Sequence, residues 1–315
     1  MARIFITGAS GCIGHYIVAA LMRQTEHELF LLVRSPARLK LELSDSPHVH
    51  VVQGDMLHIE QQAELLKTID VAILTAAAWG DPQQTQAVNV TKTLALLKLL
   101  DVNRCRQVIY FSTASILDAN NRLLKEAETL GTDYIRTKYE CHRELRKLPI
   151  AAKTTVVFPT LVFGGDAQKP LSHLSAGLKD VTRWIGLIRF FSVDGSFHYI
   201  HARDIAQVMV YLVRHPVSPG AMRQMVLGNP QITVDGAIRE LCRYFRLSVP
   251  IQVPLLAFVR VIVPLFRIQM AEWDWFCLQY RHFTYANPVN PETFDIPPYC
   301  ETVSDLMRIH GIERR

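Results

Sequence analysis

Short apolar runs alternate with stretches of helical period along the first two thirds of the chain. Runs rich in β-branched and aromatic residues predict strands over 2–7, 29–33, 49–53, 71–75, 107–112 and 154–158, with a late strand at 225–227. Between these runs, apolar residues at helical spacing predict helices over 12–23, 83–100 and 132–148. The alternation predicts an α/β fold built on a doubly wound parallel sheet.

The pattern changes after residue 164, where glycine, proline and aromatic residues become frequent and the alternation fades. We therefore predict two domains. Residues 1–164, rejoined by 199–230, form the sheet domain, and residues 165–198 and 231–315 form a second, smaller and mostly helical lobe. A helix is predicted over 271–285, with one apolar side that packs in the core of that lobe. The residues on this side are Trp273, Phe276, Cys277, Tyr280 and Phe283.

Composition narrows the classes of protein. The 315 residues are 49% apolar and 20% charged, which excludes a disordered or low-complexity chain. The 34 Lys and Arg are balanced by 29 Asp and Glu, for a net charge of +5. Like charges do not gather in blocks of five or more, so nucleic acid is not expected as the main partner.

Cysteine spacing and one apolar stretch indicate where in the cell the protein acts and whether it contacts a membrane. The six cysteines lie far apart with no C-x-x-C pair, and the first strand begins at once without a signal peptide. Both features predict a cytoplasmic protein with reduced thiols. The stretch 249–266 is apolar but short, and it carries Arg260 and three prolines. It is therefore not expected to span a membrane. Peripheral contact with a membrane surface, packing in the core and packing in a homodimer all stay open for it.

The first strand runs directly into a glycine-rich turn that begins a helix. In the pattern Gly-x-x-Gly-x-x-Gly, Gly8 permits the tight turn, Gly11 lets backbone N–H groups approach a pyrophosphate, and Gly14 lets the helix lie close to the sheet. A plain glycine-rich turn is the alternative. The position between strand and helix favours a Rossmann-type dinucleotide site. The residues expected to hold the cofactor here are Gly8, Ser10, Gly11, Cys12, Ile13 and Gly14.

The end of the second predicted strand bears on which dinucleotide binds. A site for an unphosphorylated ribose usually has an acid here, whereas this strand is followed by Arg34, Ser35 and Arg38. These side chains could bind a 2′-phosphate through charge-assisted hydrogen bonds, so NADP is favoured and NAD stays possible. A solvated basic loop is the alternative. Asp55 and Met56, after the third strand, are expected near the adenine.

A third group of residues is suited to proton transfer. Tyr134 and Lys138 are four residues apart on a predicted helix and therefore share a face, and Thr113 follows the fifth strand. A nearby ammonium and the positive nicotinamide of an oxidised cofactor would lower the pKa of the phenol. Thr113 would hydrogen-bond the substrate oxygen. A chance pair on a surface helix is the alternative.

Together these motifs resemble the extended short-chain dehydrogenase/reductase family, over nearly the whole chain. The matching segments follow the family order: TGASGCIG (7–14), Gly54-Asp55, Ala76-Ala77-Ala78, VNVTKT (88–93), VIYFSTAS (108–115), YIRTK (134–138), PTLVFG (159–164) and FHYIHARDIAQV (197–208). The resemblance implies a nicotinamide cofactor and a catalytic centre of Thr113, Tyr134 and Lys138, with Ser115 in reserve. It also implies that His198 and His201 are structural.

The resemblance places further residues near the cofactor: Ala76, Ala77, Ala78, Asn89, Pro159, Thr160 and Leu161. For Asn89, a role in helix packing is equally open. Other positions depart from the sugar-nucleotide branches of the family. Phe197 stands in the region of an arginine that binds diphosphate, Leu161 replaces an asparagine, and Ala114-Ser115 replaces the Asp-Glu pair of the dehydratases.

These departures argue against a sugar nucleotide as substrate and favour an apolar one. What remains is similar to the dihydroflavonol-reductase and 3β-hydroxysteroid-dehydrogenase branches, whose substrates are apolar alcohols or ketones. Trp184, Phe190 and Phe191 of the second lobe would suit an apolar pocket. We therefore expect an NADP-dependent oxidoreductase acting on a small molecule. The alternatives are an NAD(P)-dependent epimerase or isomerase and a non-catalytic NAD(P)-binding protein.

Overall fold

The computed structural model describes residues 1–43, 46–216, 218–255 and 270–314. Its centre is a seven-stranded parallel sheet with the strand order β3-β2-β1-β4-β5-β6-β11. The strands are β1 Arg3–Thr7, β2 Glu28–Val33, β3 Val49–Gln53, β4 Val71–Leu74, β5 Gln107–Phe111, β6 Thr154–Pro159 and β11 Arg223–Leu227. The predicted parallel sheet is therefore confirmed, and the late strand at 225–227 is its seventh member.

Helices cover both faces of this sheet and build the second lobe. In the described residues they are α1 Cys12–Gln24, α2 Ala63–Leu66, α3 Pro82–Gln86, α4 Thr93–Leu99, α5 Lys125–Thr129, α6 Asp133–Leu145, α7 His173–Arg183, α8 Ile185–Ile188, α9 Ala202–Arg214, α10 Val234–Tyr244, α11 Glu272–Tyr280 and α12 Val303–Ile309. A π-helical segment, Ala87–Lys92, joins α3 to α4, so the helix predicted over 83–100 contains one widened turn.

Two apolar clusters lie on opposite faces of the sheet. On one face, α1 and α9 pack together and bury side chains such as Ile17 and Ile205 against β1. On the other face, α4 and α6 bury Leu96 and Leu145 against β4 and β5. Because the strands are covered on both sides, nearly every residue of β1, β4, β5 and β6 is buried. This is the doubly wound arrangement that the sequence pattern predicts.

The region predicted as a second lobe contains helices and short strand pairs where the structure describes it. A third apolar cluster joins α7, α8, α10 and α12 through Leu178, Ile185, Ile238 and Leu306. The short strands are β7 Leu161–Phe163, β8 Phe191–Ser192, β9 Ser196–Phe197, β10 Tyr199–His201, β12 Ile232–Thr233, β13 Val253–Pro254 and β14 His282–Phe283. They pair as β7 with β10, as β12-β9-β14, and as β8 with β13.

The helix predicted over 271–285 is shorter and packs elsewhere. It ends at Arg281, whose left-handed φ of 55° lets its backbone N–H donate to the carbonyl of Cys277. Phe283 therefore lies in β14 rather than on the helix. The apolar side of α11 contacts the sheet cluster that contains α6, and not the core of the second lobe. This prediction was wrong in its end and in its packing partner.

The apolar stretch 249–266 is only partly described, since residues 256–266 lie outside the described residues. Its proposed contact with a membrane surface stays a prediction. Within the described ranges, we find no helix with the length and apolar character needed to cross a membrane.

The first helix approaches the end of β1 more closely than most side chains would allow. A Cβ added at Gly14 would lie 2.1 Å from the carbonyl oxygen of Gly8. Gly8 itself has a φ of +72°, and a Cβ there would lie 2.5 Å from the hydroxyl of Thr75, just after β4. Both glycines are therefore required by the backbone geometry, whether or not a ligand binds.

Gly14→Ala should destabilise the fold because the added Cβ would meet backbone atoms of Gly8 and Ala9, which cannot move aside as a side chain could. We expect the free energy of unfolding to fall by about 3 kcal/mol, at the upper end of overpacking costs. The matched control is Gly177→Ala, also inside a helix, where an added Cβ meets nothing within 4 Å. There we expect a gain of about 0.5–1 kcal/mol, because alanine loses less backbone entropy. Urea unfolding of both variants measures the difference, and equal effects would contradict the packing argument.

Candidate active site

The glycine-rich turn presents free backbone donors at the carboxyl edge of the sheet. The N–H of Gly11 donates to the carbonyl of Gly8 at 2.9 Å and closes the turn. Gly11 is the N-cap of α1, and among the described residues no side chain caps the first N–H groups of this 13-residue helix. The turn places Ser10, Cys12 and Ile13 half-buried around that helix end. The arrangement fits a pyrophosphate, because the backbone N–H groups at a helix N-terminus are donors for an anion.

A buried histidine ties this turn to the loop after β2, a link that the sequence analysis did not identify. His15 is fully buried, with Nδ1 3.1 Å from the carbonyl oxygen of Gly11 and Nε2 accepting from the N–H of Lys40 at 3.0 Å. Burial lowers its pKa, so the neutral ring donates from Nδ1 and accepts at Nε2. The loop that follows Arg34 is thereby held beside the glycine turn.

Two exposed guanidinium groups lie on that loop. Arg34 follows β2 directly, Ser35 is half-buried, and Arg38 ends the short 3₁₀ turn Pro36–Arg38. In the described ranges, neither guanidinium has a carboxylate within 4 Å. After β3, the neighbouring strand, Asp55 accepts from the N–H of Leu57 and so caps the next 3₁₀ turn.

Met56 begins that turn and is buried in the sheet cluster, with 8% of its surface exposed. Asp55 and Met56 therefore lie at the carboxyl end of β3, beyond the loop that carries Arg34. The predicted adenine contacts are placed on the edge of the sheet where the glycine turn lies.

The alanine run after β4 is held by a buried asparagine. The Oδ1 atom of Asn89 accepts from the N–H of Ala78 at 2.8 Å, and its Nδ2 donates to the carbonyl of Ala78 at 3.0 Å and to the hydroxyl of Thr137 at 3.1 Å. Asn89 has no exposed surface. It therefore links the loop of Ala76, Ala77 and Ala78 to α6. The structure supports the packing role for Asn89, acting through the loop that is expected to contact the cofactor.

Helix α6 is fixed to the end of β5 by a lysine. The Nζ atom of Lys138 donates to the carbonyl of Phe111 at 2.8 Å, two residues before Thr113. It also lies 5.9 Å from the centre of the Tyr134 ring. The hydroxyls of Thr113 and Ser115 are 3.3 Å apart. The structure thus brings Thr113, Tyr134 and Lys138 to one place at the carboxyl edge of the sheet, with Ser115 beside Thr113.

Burial shifts the proton affinities of both titratable groups. The side chain of Lys138 has 2% of its surface exposed, and loss of solvation lowers its pKa to about 8. Loss of solvation also raises the pKa of Tyr134 above its ordinary value. The spacing of Tyr134 and Lys138 predicted a lowered pKa for the phenol. In the structure the lysine lies over the ring and donates to a backbone carbonyl, so desolvation determines the direction for the phenol.

An indole ring covers one face of the tyrosine. The rings of Trp79 and Tyr134 have centroids 3.6 Å apart and are inclined by 11°, which is a face-to-face stack. Trp79 directly follows the alanine run, and 56% of its surface is exposed. Trp79 was not among the predicted site residues, although its position beside a loop expected to contact the cofactor was a usable signal.

The end of β6 completes the edge of the sheet. Pro159 is the last residue of β6, and the hydroxyl of Thr160 donates to the carbonyl of Leu227 at 2.9 Å, tying β6 to β11. Leu161 begins β7 with 41% of its surface exposed. These three residues therefore lie beside the β5 end that carries Thr113.

The two histidines of the later motif make structural contacts. The Nδ1 of His198 lies 2.8 Å from the carbonyl oxygen of Asn229, and its Nε2 accepts from the N–H of Tyr285. His201 caps α9, accepting from the N–H of Arg203 at Nδ1, and burial lowers its pKa to about 3. Both are buried and neutral, as expected for structural residues.

Comparison with known proteins is consistent with this geometry. The family model described as "NAD dependent epimerase/dehydratase family" matches residues 4–228. A curated human protein, short-chain dehydrogenase/reductase family 42E member 1, is 22% identical over 273 residues, covering 77% of this chain and 65% of that protein. This chain thus spans slightly less than two thirds of the length of that relative.

Solved structures share the fold at low sequence identity. A dTDP-glucose 4,6-dehydratase from Bacillus anthracis, in complex with NAD, has a TM-score of 0.64 and 12% identity, covering 98% of this chain and 96% of that one. The terminal R domain from the myxalamid PKS-NRPS biosynthetic pathway has a TM-score of 0.67 and 17% identity, and the match covers 99% of this chain and 92% of that one. A UDP-glucose 4-epimerase from Stenotrophomonas maltophila, with bound NAD, has a TM-score of 0.60 and 20% identity. The match covers 81% of this chain and 86% of that one.

Asn89→Ala should destabilise the protein because it removes three hydrogen bonds and leaves both backbone groups of Ala78 without this partner. We expect the free energy of unfolding to fall by about 3 kcal/mol, since unsatisfied buried polar groups cost about 1–3 kcal/mol each. The control is Asn103→Ala at an exposed position whose side chain makes no hydrogen bond in the described residues. There the change should stay within about 0.5 kcal/mol. Urea unfolding that gives both variants the same midpoint would refute the anchoring role.

Proposed function

This chain belongs to the NAD dependent epimerase/dehydratase family, and on that premise we propose that it is an NADP-dependent oxidoreductase. It would transfer a hydride between the nicotinamide and the carbonyl or secondary alcohol of an apolar small molecule. The membership confirms the resemblance to the extended short-chain dehydrogenases/reductases that the motifs carry. The NADP preference, the direction of the reaction and the substrate class are our proposals.

One observation carries the catalytic part of the proposal. Lys138 is almost completely buried, no carboxylate of the described residues pairs with it, and its ammonium lies between the end of β5 and the ring of Tyr134. Burying an unpaired amine costs stability, so a purely structural role would be served better by an apolar side chain. A strongly shifted, buried group beside a phenol, at the edge of the sheet that carries the glycine turn, supports a catalytic function.

Each residue then has a defined role in carbonyl reduction. Tyr134, whose raised pKa keeps it protonated at neutral pH, donates its proton to the carbonyl oxygen. Thr113 donates a hydrogen bond to the same oxygen and polarises the carbonyl. Lys138 compensates the negative charge left on the phenol, and its remaining N–H groups can hold the ribose next to the nicotinamide. NADPH, when bound, supplies the hydride.

The free donors of the glycine turn and the two guanidinium groups support NADP as the cofactor. The α1 N-terminus would hold the pyrophosphate, and Arg34 and Arg38 would hold a 2′-phosphate. The relatives whose names mention a cofactor contain NAD, so the preference for NADP rests on this chain's own residues. An acid, which would repel the phosphate, is absent from the described stretch 34–40.

Two apolar side chains, Leu161 beside the end of β5 and Phe197 in β9, support an apolar substrate. Leu161 is 41% exposed at the start of β7, and Phe197 is half-buried in β9, at positions where sugar-nucleotide enzymes of the family usually carry an amide and a cation. A diphosphate would therefore lose the donors that it needs in those enzymes. A cytoplasmic location and a homodimer remain predictions of the same proposal.

Tyr134→Phe should remove most of the turnover because the variant has no proton to donate. We expect the turnover number for reduction of an accepted ketone to fall by about 100-fold or more, in the range of general acid contributions. NADPH affinity, measured by calorimetry, should stay within about twofold because the ring is retained. Turnover equal to that of the unmodified protein would refute the mechanism. An interconversion of sugar isomers without net NADPH consumption would favour the epimerase alternative.

Arg34→Ala should lower the affinity for NADPH without changing that for NADH. Because one charge-assisted hydrogen bond is lost at an exposed site, we expect the Kd for NADPH to rise about 10-fold. The control is Arg23→Ala, an exposed arginine in the last turn of α1, at the end of the helix remote from the glycine turn. Calorimetric titration of the three proteins with both cofactors makes the test. NADH binding as tight as NADPH binding in the unmodified chain would overturn the NADP assignment.

A further inference from the structure

The stack of Trp79 on Tyr134 has a consequence for what can bind beside the phenol. At 3.6 Å between centroids and 11° between planes, the rings are in contact, and no third ring fits between them. The indole nevertheless keeps 56% of its surface exposed. One face of Trp79 is thus used by the phenol, and the rest of the indole faces solvent next to the site of proton transfer.

The backbone of Trp79 is fixed on both sides. Before it, both backbone groups of Ala78 are bonded to the buried side chain of Asn89. After it, Asp81 accepts from the N–H of Gln84 at 2.7 Å and so caps α3. Only two residues separate these anchors, so the indole has little freedom to leave the phenol by movement of the main chain. Its exposed face is therefore a pre-formed surface, which lowers the entropic cost of binding a ligand.

The second lobe approaches the same indole. The imidazole of His173, the first residue of α7, lies 5.5 Å from Trp79 with its plane inclined by 48°. Its neighbour Leu174 is 39% exposed, and Leu171 is 55% exposed. Exposed large apolar side chains therefore occur both on the loop that carries Trp79 and around the start of α7. The exposed part of the indole lies next to the start of α7.

We propose that the exposed face of Trp79, with His173 beside it, forms a stacking subsite for a flat, apolar ring attached directly to the reacting carbonyl. This inference rests on the proposed function, since it takes Tyr134 as the proton donor. A carbonyl within hydrogen-bonding distance of the Tyr134 hydroxyl lies alongside the indole, and the substituent of that carbonyl is then within reach of its open face. An aryl ketone keeps its ring coplanar with the carbonyl, so ring and carbonyl are presented together.

Such a subsite would bind a flat ring more tightly than a puckered ring of similar size. Both bury similar apolar area, but only the flat ring brings all of its atoms into contact with an indole face and gains the aromatic pair energy. That energy predicts about a 3- to 10-fold preference for the flat ring. Acetophenone and cyclohexyl methyl ketone form a suitable pair of probes, because they share the methyl ketone and carry a six-membered ring that is aromatic and flat in one and saturated and puckered in the other.

The test measures equilibrium binding of both ketones to the protein saturated with NADP⁺, where no reduction takes place. The unmodified chain should bind acetophenone about 3- to 10-fold more tightly than cyclohexyl methyl ketone. In Trp79→Ala this preference should disappear, so that the two ketones bind with about equal affinity. Trp79→Phe, which keeps a flat face, should retain most of the preference. The control is Trp275→Ala, which removes another exposed tryptophan, 38% exposed, from α11.

The outcomes separate this inference from the proposed function. Equal binding of the two ketones, no binding of either, or loss of preference in Trp275→Ala as much as in Trp79→Ala would each overturn the subsite. Loss of NADP⁺ affinity in Trp79→Ala would also overturn it, by showing that the indole holds the cofactor instead. If the preference depends on Trp79 but NADPH reduces neither bound ketone, the subsite stands and the proposed oxidoreductase activity fails.

Discussion

The close crossing of the first helix over the end of the first strand is the constraint on which the whole site depends. Gly14 meets the carbonyl of Gly8 at a distance that leaves no room for a side chain, and Gly8 in turn faces Thr75 after β4. Because the helix lies so close, its uncapped N-terminus points into the crevice between β1 and β4, where the strand order reverses. A helix displaced by the width of a methyl group would direct its backbone donors elsewhere. Packing and anion binding thus share one geometric requirement.

The other half of the site depends on buried polar side chains that join neighbouring elements. Asn89 binds the loop after β4 to α6, and Lys138 binds α6 to the end of β5. These contacts place Tyr134 between the two loops, where Trp79 stacks on it. Each contact buries a polar group that would be costly if left unpaired. The tyrosine is therefore positioned by groups that do not touch the substrate, which lets the proposed centre be rigid before any ligand arrives.

The sequence predicted the features that local pattern determines. The parallel sheet, the glycine turn and the pairing of Tyr134 with Lys138 follow from residue spacing, and the structure contains all three. The contacts that were missed join residues far apart in the chain. The spacing of His15 and Lys40 does not indicate a hydrogen bond, and the position of Trp79 does not specify which ring it covers. The early end of α11 was missed because the residue with positive φ that terminates it is an arginine, Arg281, and not a glycine.

The direction of the phenol shift connects the packing to the chemistry. Desolvation raises the pKa of Tyr134, and the stacked indole contributes to that desolvation by displacing water from one ring face. A protonated phenol is the form that donates in carbonyl reduction, whereas alcohol oxidation requires the phenolate. The lowered pKa of Lys138, about 8, means that its charge is retained at neutral pH but is lost in mildly alkaline solution. An environment that keeps the phenol neutral and the amine charged at neutral pH is suited to reduction, because both groups then begin in the form that the proton transfer needs.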